Sequence, residues 1–136
     1  LVDDFDGQYL YTRARGRRTA VKNFIMDGRI VVGVGNIYAS EALFRSGIRP
    51  TRAAGRIALE RYSLLVIAIQ TVLGEAIAAG GTTLRDYSRV TGEPGYFEQA
   101  LKVYERQGQP CEVCGDLINR KVIGQRASYY CPSCQH

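Results

Sequence analysis

Cys111-Glu112-Val113-Cys114, a gap of sixteen residues, and then Cys131-Pro132-Ser133-Cys134 contain all four cysteines of the chain. A CxxC turn aims two thiolates at one point, and two such turns at this separation have the spacing of a zinc ribbon. Soft sulfur ligands in a tetrahedron suit Zn²⁺ and leave no position for water. One structural zinc ion on Cys111, Cys114, Cys131 and Cys134 is therefore expected. So short a module cannot bury enough apolar surface to fold alone, and ion binding, typically about 10 to 16 kcal/mol in small zinc modules, supplies the missing free energy. Disulfides stapling a whole secreted domain would be more dispersed, and two matched redox dithiols at finger spacing would be a coincidence.

Between the two cysteine pairs, a β-hairpin turning near Ile123-Gly124-Gln125 would place Arg126 at its tip. The cations Arg120, Lys121 and Arg126 outnumber Glu112 and Asp116 by one, and four thiolates around Zn²⁺ leave the loaded module near −1. Such a module attracts an anion only if its cations project together, which makes Arg126 the functional candidate. Upstream, Gly108 and Pro110 read as a hinge.

The whole chain has 136 residues, 46% hydrophobic and 23% charged, which suits one or two small globular units. Eighteen Lys and Arg against thirteen Asp and Glu give +5, and the isoelectric point near 9.2 suits an anionic partner such as nucleic acid. The longest apolar run, residues 64–69, is far short of the roughly 20 needed to cross a bilayer, so no membrane partner is expected. The chain opens on Leu1 and its only methionine is Met26, so a fragment of a longer protein is expected.

Hydrophobic spacing predicts a mainly α protein. A helix is expected over residues 4 to about 15, with acids first and bases last to suit the macrodipole. A second is capped by Thr19 and carries Val21, Phe24 and Ile25 before Asp27-Gly28, after which residues 29–32 are extended or turned. A third, N-capped by Asn36, runs to Gly47 and Pro50. Residues 57–79 form a long core helix with Tyr62, Leu65, Val66, Ile69, Val72, Leu73, Ala76 and Ile77 in register, ended by Gly80-Gly81. Residues 82–95 read as a loop and 96 to about 106 as helix again. The division is 1–107, helical, and 108–136, the finger.

Gly33-Val34-Gly35-Asn36-Ile37-Tyr38 begins like a dinucleotide-binding glycine turn but has Tyr38 at the third glycine, and no strand-helix-strand unit surrounds it. A more general reading survives beside that of an ordinary capped turn. Gly33 and Gly35 let a phosphate approach the backbone, a helix N-terminus offers free N–H groups, and Asn36 can add its amide.

Arg18-Thr-Ala-Val-Lys22, Met26-Asp27, Val32-Gly-Val-Gly-Asn-Ile-Tyr-Ala-Ser-Glu-Ala-Leu-Phe44, Gly80-Gly-Thr-Thr-Leu-Arg-Asp86, Gly95-Tyr-Phe97 and the cysteine module together resemble formamidopyrimidine-DNA glycosylase over nearly the whole chain. The resemblance is to the C-terminal half: a helix-two-turns-helix bundle followed by a zinc-ribbon β-hairpin finger. It implies a bacterial base-excision repair enzyme that removes 8-oxoguanine and formamidopyrimidines and then cleaves the abasic strand by β,δ-elimination. Its partner would be double-stranded DNA holding an oxidised purine or abasic site, and a cytoplasmic, nucleoid-associated monomer is expected. By the same resemblance, Asn36 and Lys22 reach phosphates beside the everted nucleotide, and Arg126, in Gly124-Gln-Arg-Ala127 with Gln125 beside it, grips phosphates around the lesion. Leu84, Arg85, Asp86, Tyr87, Ser88, Arg89, Val90 and Thr91 correspond to a mobile loop that covers the everted purine.

The family's nucleophile, an N-terminal proline followed by a glutamate, is absent, since Leu1-Val2 cannot substitute and the prolines at 50, 94, 110 and 132 are internal. No catalytic residue is therefore expected in this chain, Arg126 supporting catalysis only through phosphate binding, and Glu41 is expected to be a helix-surface or structural contact. Three alternatives stand beside this reading: an endonuclease VIII-like glycosylase for oxidised pyrimidines, a stand-alone non-catalytic DNA-binding module, and a zinc-ribbon protein-interaction domain. The Gly80-Gly81-Thr82-Thr83 stretch favours the purine branch. His136 is expected to be a solvated terminus.

Overall fold

A computed structural model describes residues 5–78 and 101–136. The expected loop over 82–95, the lesion-covering residues 84–91, and the Gly80-Gly81 helix stop lie outside the described residues.

The first helix, α1 (Gly7–Ala14), is shorter than expected because Asp6 does not extend it but caps it: its carboxylate accepts from Tyr9 N at 2.9 Å. Helix α2 (Val21–Met26) has no side-chain cap, and Thr19 does not serve as one. The Val21 and Lys22 N–H groups instead donate to the carbonyls of Arg52 and Pro50, at 2.7 and 3.3 Å. A strand-like bridge between Ala20 and Ala53 holds that turn in place, so tertiary carbonyls satisfy donors that a cap would otherwise serve.

Two turns follow α2. Asp27 O accepts from both Ile30 N and Val31 N, at 2.8 and 3.0 Å, and the chain then bends through Gly33 (φ +90°) into α3 (Asn36–Ser46). This is a helix, two turns and a helix in the literal sense. Helix α3 ends at Gly47, whose left-handed backbone (φ +74°) lets Gly47 N and Ile48 N close onto Phe44 O and Leu43 O. A 3₁₀ turn (Ala54–Arg56) precedes α4 (Leu59–Ala78).

Helix α4 has 20 residues and a mean hydropathy of 1.3 over its most apolar window, enough by length and composition to cross a membrane. An uninterrupted-run reading misses this because single polar residues break the run. In the fold α4 is the core helix. Tyr62, Leu65, Val66, Ile69, Val72 and Ala76 are buried against Leu10 of α1, Phe24 and Ile25 of α2 and Leu43 of α3, each large side chain contributing roughly 1.5–3 kcal/mol. Gly7 and Ser63 pack so closely that a Cβ on Gly7 would overlap Ser63, which sets the α1–α4 approach. Arg45 grips Glu75 with two hydrogen bonds of 2.8 Å and ties α3 to α4.

Residues 101–106 are not helical. They form a bend and turn with Glu105 at φ +58°, because the N–H groups of Lys102, Val103 and Tyr104 donate to the Glu41 carboxylate and so not to the carbonyls four residues earlier that the expected helix would require. Residues 108–110 are not a free hinge either. Gly108 N donates to Ile118 O, Ile118 N donates to Gln109 O, and Pro110 pairs with Leu117, so this stretch is stitched along the finger. The antiparallel hairpin of β1 (Asn119–Ile123) and β2 (Arg126–Tyr130) completes the order, with Ile123 opposite Arg126. A second apolar cluster of Val103, Ile118, Tyr129, Cys111 and Cys131 takes Phe44 of α3 as its floor.

Candidate nucleic-acid interface and metal centre

The four Sγ atoms of Cys111, Cys114, Cys131 and Cys134 lie within 4.8 Å of one another. Cys111–Cys134 and Cys114–Cys131 stand at 3.9 and 3.4 Å, close to the edge of about 3.8 Å expected for a sulfur tetrahedron with Zn–S near 2.3 Å. Backbone N–H groups are already turned toward the sulfurs: Val113 N faces Cys111 Sγ and Cys134 N faces Cys131 Sγ, both at 3.4 Å. Burial pushes the Cys111 thiol up, but the N–H donors of Cys114 and Val113 outweigh it and bring the group down to about 7. Burial and the neighbouring sulfurs drive Cys134 far in the other direction. Four clustered sulfurs thus resist becoming thiolates together unless a dication balances them. The donor set and its geometry fit one structural zinc ion.

The finger is bolted to α3 along that helix's length. Near its C-terminal end, Gln135, fully buried, accepts from Cys131 N (2.7 Å) and donates to Ile48 O (2.9 Å). Halfway along, the buried Glu41 carboxylate accepts from Lys102 N at 2.7 Å and from Val103 N and Tyr104 N at 2.9 Å each. At its first turn Asn36 Nδ2 donates to Ala127 O of β2 at 2.9 Å. Asn36 is the first helical residue and not the N-cap, a position Gly35 takes without a side-chain bond, because its amide is drawn across to the finger.

The same carbonyl has a second donor. Lys22 Nζ lies 3.3 Å from Ala127 O and 2.6 Å from Ser128 Oγ, and its side chain is fully buried. A lysine that reaches a phosphate directly would stand on the surface; here the finger covers it. Burial, and then the charge of Arg126, lower Lys22 to about 8. Arg126 itself is exposed and makes no side-chain hydrogen bond or ion pair among the described residues. Gly124 and Gln125 form the hairpin turn, both exposed and both at positive φ, +57° and +68°. Gly33 and Gly35 are exposed at the foot of α3, with open space where a side chain would stand.

Asn36 and Lys22, 91 and 105 residues before Ala127, therefore meet at its carbonyl, and the residue just before it, Arg126, is near enough for its charge to act on Lys22. Two cations and the Asn36 amide N–H group give this pole of the molecule the charge that suits an anion, while the buried Asn36 Oδ1 is left without a partner among the described residues. Sequence reasoning missed Tyr104. Its phenol is pushed up chiefly by burial, while an Asn36 hydrogen bond and the Arg126 charge pull the other way, which places the hydroxyl beside the same pole. Its ring packs edge-on against Tyr129 at 5.0 Å. A helix over residues 96–106 would put Tyr104 on an apolar face. Only the turn imposed by Glu41 redirects it. His136 is exposed as expected, but its backbone pairs with Gly47 O and Arg49 N.

A helix-two-turns-helix bundle carrying a docked four-cysteine zinc finger is the class these features define. Residues 1–88 match the formamidopyrimidine-DNA glycosylase H2TH domain, and residues 108–136 match the zinc finger found in FPG and IleRS. The chain belongs to the formamidopyrimidine-DNA glycosylase family. It is 58% identical over 135 residues to the formamidopyrimidine-DNA glycosylase of Alcanivorax borkumensis, covering 99% of this chain and 50% of that protein. Among solved structures it resembles Lactococcus lactis Fpg in complex with abasic-site DNA, with a TM-score of 0.87 at 28% identity over 100% of this chain and 49% of that one. The same protein in complex with Fapy-dG-containing DNA gives 0.86 at 28% identity, over 98% and 48%. The MutM (Fpg) protein of Thermus thermophilus gives 0.87 at 38% identity, over 99% and 52%. The chain spans about half the length of the relatives it matches.

Proposed function

We propose that this chain is the DNA-clamping portion of a bifunctional glycosylase and AP lyase that excises oxidised purines, 8-oxoguanine and formamidopyrimidines, in base excision repair in the bacterial cytoplasm. The observation that carries the reading is the hydrogen bond from Asn36 to the carbonyl of Ala127, the residue that follows the exposed Arg126, with Gly33 and Gly35 leaving the foot of α3 open. Taking a base out of the stack costs a few kcal/mol, and holding phosphates on both sides of the nucleotide offsets that cost. Arg126 supplies a mobile charge, Asn36 a fixed donor, and Tyr104 a hydroxyl at the same pole. Residues 84–91 cover the everted purine, and the division at 107/108 separates bundle from finger. The nucleophile belongs to a part of the protein outside this chain.

Fluorescence anisotropy of the zinc-loaded chain with a duplex containing a tetrahydrofuran abasic analogue tests the reading. Binding is expected to weaken steeply with salt, and Arg126→Ala to cut affinity and reduce the salt slope by about 1. An Asn36→Ala, Arg126→Ala double variant that binds as well as the parent would restore the protein-interaction reading. Borohydride trapping of this chain on lesion DNA is expected to yield no covalent complex, and a trapped complex would refute the placement of the nucleophile.

A further inference from the structure

Lys22 is the one fully buried lysine among the described residues, and none of those residues sets a carboxylate against its ammonium. It lies on α2, yet both of its side-chain acceptors lie on β2, 105 and 106 residues later in the chain. An ammonium has three hydrogens, and two acceptors are provided. The charge that faces it is a second cation, Arg126, from β2; the α3 group sharing the Ala127 carbonyl is the neutral Asn36, and the group from the 101–106 turn is the Tyr104 phenol beside Asn36. Replacing Lys22 with an apolar residue would bury no charge but would take a donor from both the Ala127 carbonyl and the buried Ser128 hydroxyl.

We infer that Lys22 is the positioning residue for Arg126: its ammonium fastens the Ala127 carbonyl and the Ser128 hydroxyl, and so sets the direction in which the preceding arginine meets a phosphate. The inference deepens the DNA-clamping reading and rests on it. Lys22 does not touch the phosphate. It reaches it through one peptide and lends its charge to the same pole.

A consequence for pH follows, with its sign. In the free chain, burial and Arg126 disfavour the charged Lys22 and lower it to about 8. A phosphate held by Arg126 offsets that repulsion and raises the lysine again, so binding takes up a proton between the free and bound values. Affinity is therefore full below about pH 8 and falls as pH rises through it, by at most one proton per complex.

The test uses the zinc-loaded chain and three variants, Lys22→Met, Lys22→Arg and Arg126→Ala, on the abasic-analogue duplex from pH 6.5 to 9.5. Lys22→Met is expected to weaken binding about tenfold at pH 7 with one zinc retained, and to abolish the pH dependence between 7.5 and 9. Lys22→Arg should keep the low-pH affinity while losing that dependence. Arg126→Ala should cost far less in the Lys22→Met background than alone. Equal costs in both backgrounds, or an identical pH profile for Lys22→Met and the parent, overturn the inference. In the DNA-free chain, amide resonances of Ala127 and Ser128 should titrate near pH 8 in the parent and not in Lys22→Met. Failure of the duplex to bind sinks the clamping reading, while flat amide titrations sink the positioning role whether or not duplex binds.

Discussion

Glu41 matches no motif for chemistry, yet it decides the course of the chain behind the site. One buried carboxylate gathers three consecutive N–H groups, at Lys102, Val103 and Tyr104, and so converts an expected helix into a turn. Its expected role as a structural contact holds; a place on the helix surface does not, since Glu41 is 1% exposed. Glu41→Ala would leave those donors without an acceptor, the Val103 N–H inside the second apolar cluster. A loss of about 3 kcal/mol or more is expected in urea unfolding of the zinc-loaded chain, with Glu41→Gln costing about half as much because one good acceptor remains. Tyr104 should lose its near-ultraviolet circular dichroism contribution in the alanine variant. An alanine variant with a stability equal to the parent's would contradict the role given to this carboxylate.

Among the elements, the β1–β2 hairpin shows most directly how local chemistry sets an exposed cationic side chain, Arg126, beside a turn. A two-residue loop with positive φ at both positions has the twist that matches paired strands, and Gly124 at φ +57° adopts it without strain. Gln125 at φ +68° does not. A Cβ on Gly124 would also stand 2.6 Å from Asn23 Nδ2 of α2, so the glycine lets the tip settle onto the bundle. Gly124→Ala is expected to destabilise the loaded finger by about 1–2 kcal/mol, and Gln125→Gly to stabilise it by up to about 1 kcal/mol, read as shifts in thermal midpoint. The hairpin is legible in the sequence because its glycine sits between two extended runs inside a metal spacing. The bend over 101–106 is not, because its cause is a carboxylate sixty residues away.

At the scale of the molecule, the bundle core and the finger cluster are two apolar clusters, joined by Phe44, by Tyr104, which packs against both, and by hydrogen bonds that include those of Lys22, Asn36, Glu41, Arg49, Arg61 and Gln135. Stripping zinc with a chelator is expected to leave the helical circular dichroism nearly unchanged, open residues 108–136 to protease, and weaken duplex binding at least tenfold. The reason is that the bundle core holds no residue of the finger, whereas the finger depends on about 10 to 16 kcal/mol from its ion. Parallel loss of helix and finger would show the two to be one cooperative unit.

Spacing alone determined the zinc ligands, the helical bundle, the hairpin and the open foot of α3, because each rests on contacts between near neighbours or on a period in the chain. The motifs also nominated Asn36 and Arg126. Only the tertiary structure decided that Asn36 turns away from its own helix to the finger, that Lys22 lies beneath Arg126 instead of on the surface, and that Glu41 pulls Tyr104 into the site. Those outcomes depend on where buried polar groups find partners, and a donor on α2 or α3 meets its acceptor on β2 only after the whole chain has packed.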